Sequence, residues 1–200
     1  MGNKEFYFFA LAPTGSGISG SDRIFIELAR RWSEKYPLKI FTTEEGVEMM
    51  NRQKLSGKNL IIKKVETGTL PNNFFLKYIY KIYLGIKLGF SSLSTVYNLP
   101  STILYSSSDF WMDVIPCAIL KLRFSQVKWV ATWYQTAPNP RSGFGEQNAK
   151  DKVQRKEKYR TSALFYWLSQ FIAKPLIKMF ADKVIVNNED EKREFKEFND

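Results

Sequence analysis

The sequence predicts an α/β domain in which helices cover both faces of a parallel sheet. Three observations lead there. Apolar runs of strand length alternate with longer stretches of helical period almost to the end of the 200 residues. The first run leads into a glycine-rich loop, Gly15-Ser16-Gly17-Ile18-Ser19-Gly20, which opens a helical stretch. The composition, 44% hydrophobic and 25% charged, is that of an ordinary globular chain, and its length suits one large domain spanning 1–200.

The elements follow in order. Residues 4–12, KEFYFFALA, form a continuous apolar run ending at Pro13, as a strand buried on both faces does. A lysine ahead of a short apolar run also suits a signal peptide, but the run is brief and Glu5 sits in its flank. Residues 21–36 place Ile24, Phe25, Leu28, Ala29 and Trp32 on one helical face, and Pro37 stops the helix. Strands are predicted at 38–43 and 59–66, with a short helix at 44–55 between them. A long aromatic helix is predicted at 73–94, where Gly85 and Gly89 mark either weakness or close packing. A strand at 102–107 precedes a helix at 111–124, with Pro116 in its first turns or at a kink. A strand at 127–134 precedes a long polar segment, 135–160. An apolar helix at 161–180 contains Pro175. A strand at 183–187 and an acidic helix at 189–198 close the chain. No stretch approaches the ~18 uninterrupted apolar residues of a membrane span.

The absence of histidine excludes Ser-His-Asp and Cys-His nucleophile systems and histidine-held metals. The single cysteine, Cys117, excludes an intrachain disulfide and suits a reducing compartment. The net charge of +10 is unevenly spread. Residues 182–200 hold seven acids and four bases, a net −3, which leaves +13 on the rest. No acid occurs between Thr67 and Ser108, while Lys77, Lys81 and Lys87 lie there among aromatic residues. Such a basic aromatic helix either packs in the core or lies on an anionic membrane surface. Arg141 begins a second basic cluster ahead of the apolar helix.

Parallel sheets bind ligands at the carboxyl ends of their strands. The loops after the first, fourth and fifth strands are therefore the informative ones. The glycine loop fits G-x-G-x-x-G in its required context, where free N–H groups and the helix dipole favour an anion. Ser19 and Asp22 have the spacing of a capping box, which is the structural alternative. A nicotinamide oxidoreductase is one reading: Glu44/Glu45 lie near the end of the second strand, and Tyr83 and Lys87 match Y-x-x-x-K. A basic nucleic-acid-binding domain without catalysis is another, although no RNA- or DNA-binding signature is present.

A further reading comes from resemblance. The first strand, then PTGSGISGSDRIFIELARRW, then PLKIFTT resembles the amino-terminal half of a family 4 (GT-B) glycosyltransferase. ILYSSSDFWMDVIPCAILK resembles that family's fourth strand, its loop and the helix after it. KWVATWYQTAPNP resembles the next strand and loop, and FADKVIVNNEDEKREFKEF the signature closing the amino-terminal domain. The resemblance implies a Rossmann-like parallel sheet that binds acceptor. It also implies a separate carboxyl-terminal domain, expected to be absent from this chain, that binds a nucleotide sugar and carries an E-x7-E pair. Glu189 and Glu197 have that spacing, but on a helix expected to present a solvated face.

On this resemblance, Gly15, Ser16, Gly17, Ser19 and Gly20 would face the donor phosphates across the cleft. Ser107, Asp109, Trp133, Tyr134 and Gln135 would bind acceptor, with hydroxyls, an amide and aromatic faces suited to sugar. The family often has a histidine near Trp133–Gln135, and this chain has none. Lys77, Lys81, Lys87 and Arg141 would form the membrane or anionic-acceptor surface. The resulting expectation is the acceptor side of a retaining glycosyltransferase, cytoplasmic and peripheral at the membrane. It would act on a sugar or lipid-linked acceptor, bind no cofactor of its own, and be inactive without its donor half.

Overall fold

The structure is a computed structural model that describes residues 4–13, 17–68, 71–91, 101–137 and 161–198. Six strands form one sheet: β1 (Glu5–Ala10), β2 (Leu38–Thr42), β3 (Leu60–Lys64), β4 (Thr102–Ser106), β5 (Lys128–Trp133) and β6 (Lys183–Val186). Their order is β3-β2-β1-β4-β5-β6, and every neighbouring pair is parallel. The helices are α1 (Gly20–Ser33), α2 (Glu44–Arg52), α3 (Phe74–Ser91), α4 (Trp111–Arg123), α5 (Thr161–Phe180) and α6 (Glu189–Glu194). The strand order defines a Rossmann-like α/β fold, with its topological switch between β1 and β4.

Strand alternation builds two cores from one sequence run. Phe6, Phe8 and Ala10 of β1 pack with Phe25, Ile26 and Ala29 of α1 and Met49 and Met50 of α2. Tyr7 and Phe9 face the other way, against Val114, Cys117 and Ala118 of α4 and Ala173 and Ile177 of α5. Cys117 is fully buried, and burial raises its thiol well above the ordinary range, so it packs as an inert apolar group. At the amino end of the sheet, Asp182 receives Lys121 at 2.8 Å, Lys128 at 2.9 Å and the Trp129 N–H at 2.8 Å. The carboxylate of the ADKVIV segment thus fastens β6 to β5.

The element ends have local causes. Ser19 caps α1, and the capping box with Asp22 is formed. The Asn73 side chain accepts the N–H groups of Phe75 and Leu76 and starts α3. The acidic stretch predicted as one helix over 189–198 divides instead. It is α6 up to Glu194 and then a 3-10 turn, Lys196–Phe198, with Phe195 turned into the core.

The glycines of α3 mark close packing. A Cβ on Gly85 would lie 2.7 Å from the Met112 carbonyl oxygen, and one on Gly89 would lie 3.1 Å from Ile119 and from the Pro116 backbone. Pro116 lies inside α4 and lacks an N–H, so the Met112 carbonyl four residues back loses its helical donor. That carbonyl is the one Gly85 approaches. Helix propensity favours Gly85→Ala by about 1 kcal/mol. The backbone overlap opposes it by about 1–3 kcal/mol. We therefore expect Gly85→Ala to lower the urea midpoint of unfolding. A raised midpoint would show that α3 and α4 are not in this close contact.

Candidate functional site

A cavity of about 400 Å³ opens at the switch point between β1 and β4. Ala12 and Pro13 after β1 form one side, with Gly17, Ile18, Ser19, Ser21 and Asp22 at the start of α1. Ser107, Ser108, Phe110 and Met112 form the β4 side. Phe74, Lys77, Tyr78 and Lys81 of α3 form the remaining wall. This is the crevice in which open α/β sheets hold ligands.

Its floor is tied together by Asp113, in the first turn of α4. One carboxylate oxygen accepts the Leu11 N–H at 2.6 Å and the Ala12 N–H at 3.2 Å. The other accepts the hydroxyls of Ser107 at 3.0 Å and Ser108 at 2.6 Å. The loops after β1 and β4 thus share one fully buried anchor. Burial pushes the Asp113 carboxyl up to about 7, against the four donors that pull it down.

A second ion cluster sets the α3 wall. Lys77 and Lys81 reach the two oxygens of Glu45 at 2.9 and 2.7 Å, and Lys81 also donates to the Pro13 carbonyl at 2.6 Å. Lys81 is 1% exposed, and burial lowers its ammonium pKa, opposed by Glu45. Burial pushes Glu45 up, but the two lysines outweigh it and hold the carboxyl below its ordinary value. The expectation of Lys77 and Lys81 on an outer membrane-facing surface is corrected here. Successive turns of α3 aim both at one half-buried carboxylate, and both line the cavity. Lys87 is exposed on α3. Glu45 is committed to two lysines and is not free to hold a ribose.

The glycine loop is only partly described, since Gly15 and Ser16 lie outside the described residues, as does Arg141. Gly17 and Gly20 stand in open space, with nothing within 4 Å of a Cβ placed on them. Ser19 is occupied: its N–H and hydroxyl lie 2.8 and 2.7 Å from the Asp22 carboxylate. The helix start therefore presents a carboxylate to the cavity beside its N–H groups.

The residues expected to bind acceptor do not converge. Ser107 lines the cavity. Trp133 is fully buried, with its ring N–H on Thr136 at 3.1 Å. Tyr134 is buried, its hydroxyl 3.2 Å from that of Tyr105. The expectation that both aromatics present a free stacking face is corrected, because Trp133 packs in the core against α4 and α5 and Tyr134 is buried with its hydroxyl against Tyr105. Asp109 is buried and receives the Gln170 amide N–H at 2.5 Å, with the Tyr166 hydroxyl 3.0 Å away. Its burial pushes it up to about 6. The Gln135 side chain is exposed, while its carbonyl accepts from Gln170 at 2.6 Å.

Gln170 and Glu191 were not anticipated. Gln170 also accepts the Ala137 N–H at 2.6 Å, and Glu191 accepts the Thr136 N–H and hydroxyl at 2.7 and 2.8 Å. A lone amide within an apolar helix was the visible sign for Gln170. Among the described residues no group of three or more acidic or cysteine side chains is placed to hold a metal.

No protein-family model matches the chain, and no curated protein matches it. Among solved structures it is similar to the N-terminal domain of trehalose-6-phosphate phosphatase from Candida albicans, with a TM-score of 0.45 and 11% identity. That alignment covers 98% of this chain, which spans 42% of the other. The class assigned here, a Rossmann-like α/β domain, rests on the strand order and registers themselves.

A carboxyl raised by folding holds more protons in the native state than in the unfolded chain. Stability from Asp113 therefore falls as pH rises from 3.8 through about 7. Urea midpoints should fall between about pH 5 and pH 7, and fall less steeply in Asp113→Asn. Equal slopes in the two proteins would contradict the raised value.

Proposed function

We propose that this domain is the acceptor-binding side of a glycosyltransferase that moves a sugar from a nucleotide sugar to a hydroxyl acceptor with retention. The observation that carries the reading is the lining of the switch-point cavity. Hydroxyls from Ser19, Ser21, Ser107 and Ser108, the aromatic side chains of Phe74, Tyr78 and Phe110, and the two lysines Lys77 and Lys81 line a single space. Polar groups that bond hydroxyls beside aromatic faces are the chemistry of saccharide recognition. The resemblance of the strand and loop motifs to family 4 glycosyltransferases supports the same reading.

The cavity's charge argues about the donor. Asp22 carries a carboxylate at the helix start and consumes the Ser19 donors there. A phosphate placed against it meets like charge. The nucleotide diphosphate of the donor, and likewise that of a nicotinamide dinucleotide, is therefore disfavoured beside Asp22, and the two lysines of the α3 wall are already engaged by Glu45. A neutral polyol is favoured. Donor binding belongs on this reading to a second domain, and all described strands here belong to one sheet. Tyr83 and Lys87, the dehydrogenase-like pair, are exposed on α3 rather than gathered at the cavity.

Saturation-transfer NMR on the 200-residue chain tests the reading. A panel of mono- and disaccharides should give signals that drop about tenfold or more in Phe74→Ala and in Lys77→Met. NADH should bind weakly or not at all, and nucleotide sugars should not be turned over. Tight NADH binding, sugar transfer by this chain alone, or saccharide signals indifferent to both substitutions would overturn it.

A further inference from the structure

The two helical layers of the sheet have unlike outer faces. On one side, α1 presents Arg23, Glu27 and Arg31, and its Glu27 pairs with Arg30 and Arg31 at 2.7 Å. That is an ordinary solvated surface. On the other side, α3 exposes Phe75 at 49%, Ile79 at 45%, Tyr83 at 55%, Ile86 at 38% and Phe90 at 54%. At helical period these five fall within an arc of about 80° and run the length of α3, roughly 25 Å. The α5 helix repeats the pattern with Leu164, Leu168, Phe171, Ile172 and Met179, all exposed, and Leu122 of α4 is also exposed. Phe165 joins the two helices through ring contacts of 5.7 Å with Phe74 and 5.6 Å with Phe75. Exposed apolar side chains this numerous and continuous mark a docking face.

Charge decides the occupant. Neither α3 nor α5 contains an acidic residue, and the chain up to residue 181 carries a net +13 against the −3 beyond it, within the total of +10. Lys87 flanks the α3 stripe. Arg123 of α4 sits over the Phe90 ring at 5.4 Å and donates to the Phe90 carbonyl at 3.1 Å. An apolar aromatic stripe edged by cations, with no carboxylate on either helix to repel lipid phosphates, matches the headgroup boundary of an anionic bilayer. No helix among the described residues is long and apolar enough to cross a membrane, so contact is with the surface.

We infer that the outer face of α3 and α5 docks on an anionic lipid bilayer, with Phe75, Ile79, Tyr83, Ile86 and Phe90 entering the headgroup boundary. This differs from a surface built on Lys77 and Lys81, which point into the molecule. The face meets the cavity at Phe74, which lines the cavity and touches Phe165. The inference stands independently of what the cavity binds.

Vesicle flotation tests it. The chain should float with phosphatidylcholine vesicles containing about a third phosphatidylglycerol, several-fold more than with phosphatidylcholine alone, and less at high salt. The double variant Phe75→Ser/Ile79→Ser and the single variant Phe90→Ser should each lose at least about tenfold in vesicle affinity with their unfolding midpoints kept. Lys87→Glu should lose several-fold. A Tyr83→Trp variant provides a readout that needs no disruptive change: its fluorescence should be quenched by brominated lipids. Failure to float, flotation unchanged in the stripe variants, or no quenching would overturn the inference. So would a dimer in solution that these substitutions dissociate, since a second copy would then cover the face. Saccharide signals that persist while flotation fails would overturn this inference and leave the acceptor reading standing.

Discussion

The Asp113 carboxylate is the constraint on which the site depends. A parallel sheet leaves the loops at its carboxyl edge without strand partners, and at the switch point two of them diverge. Two backbone N–H groups after β1 and two hydroxyls after β4 all point at one buried carboxylate. Four donors on one acceptor offset part of what burial costs the charged form. They also fix the separation of the two loops, and that separation is the width of the cavity. Gln170 and Glu191 do the same for the loop after β5, binding it to the β4 loop and to α6.

This arrangement explains which parts were legible in the sequence. The strands and helices were, because their periodicity is local: Tyr7 and Phe9 alternate with Phe6 and Phe8, and the Ser19–Asp22 spacing is that of the capping box that forms. The glycine pair in α3 was legible as one of two alternatives, and the approach to Met112 selects close packing. The polar anchors were not. Asp113 bonds residues 102 and 101 positions away, and Gln170 one 61 positions away, separations at which no local pattern carries information. Lys77 and Lys81 looked like surface charges because no acid lies near them in sequence, yet their counterion is Glu45 on another element. Glu44 and Glu45 looked like one feature but divide. Glu44 makes an exposed pair with Lys64, and Glu45 is half of the cavity wall's charge balance.

The site and the surface share one helix. On α3, Tyr78, Lys81, Ile82, Gly85 and Gly89 turn inward, while Phe75, Ile79, Tyr83, Ile86 and Phe90 turn out. Close packing on α4, permitted by the two glycines, fixes the rotation of the helix. Both the cation placement in the cavity and the apolar stripe outside follow from that single orientation. The composition that first suggests a basic surface helix is thereby divided by structure into a charged wall within and an apolar face without.

Amide hydrogen exchange at Leu11 and Ala12 reads whether one carboxylate holds the two loops of the cavity floor. Neither amide belongs to the β1 ladder. Both should exchange slowly, close to Phe8 within the strand, and accelerate about tenfold or more in Asp113→Ala with Phe8 unchanged. Exchange at the rate of an open loop in the unaltered protein, or protection that survives Asp113→Ala, would show that Asp113 does not hold the loops.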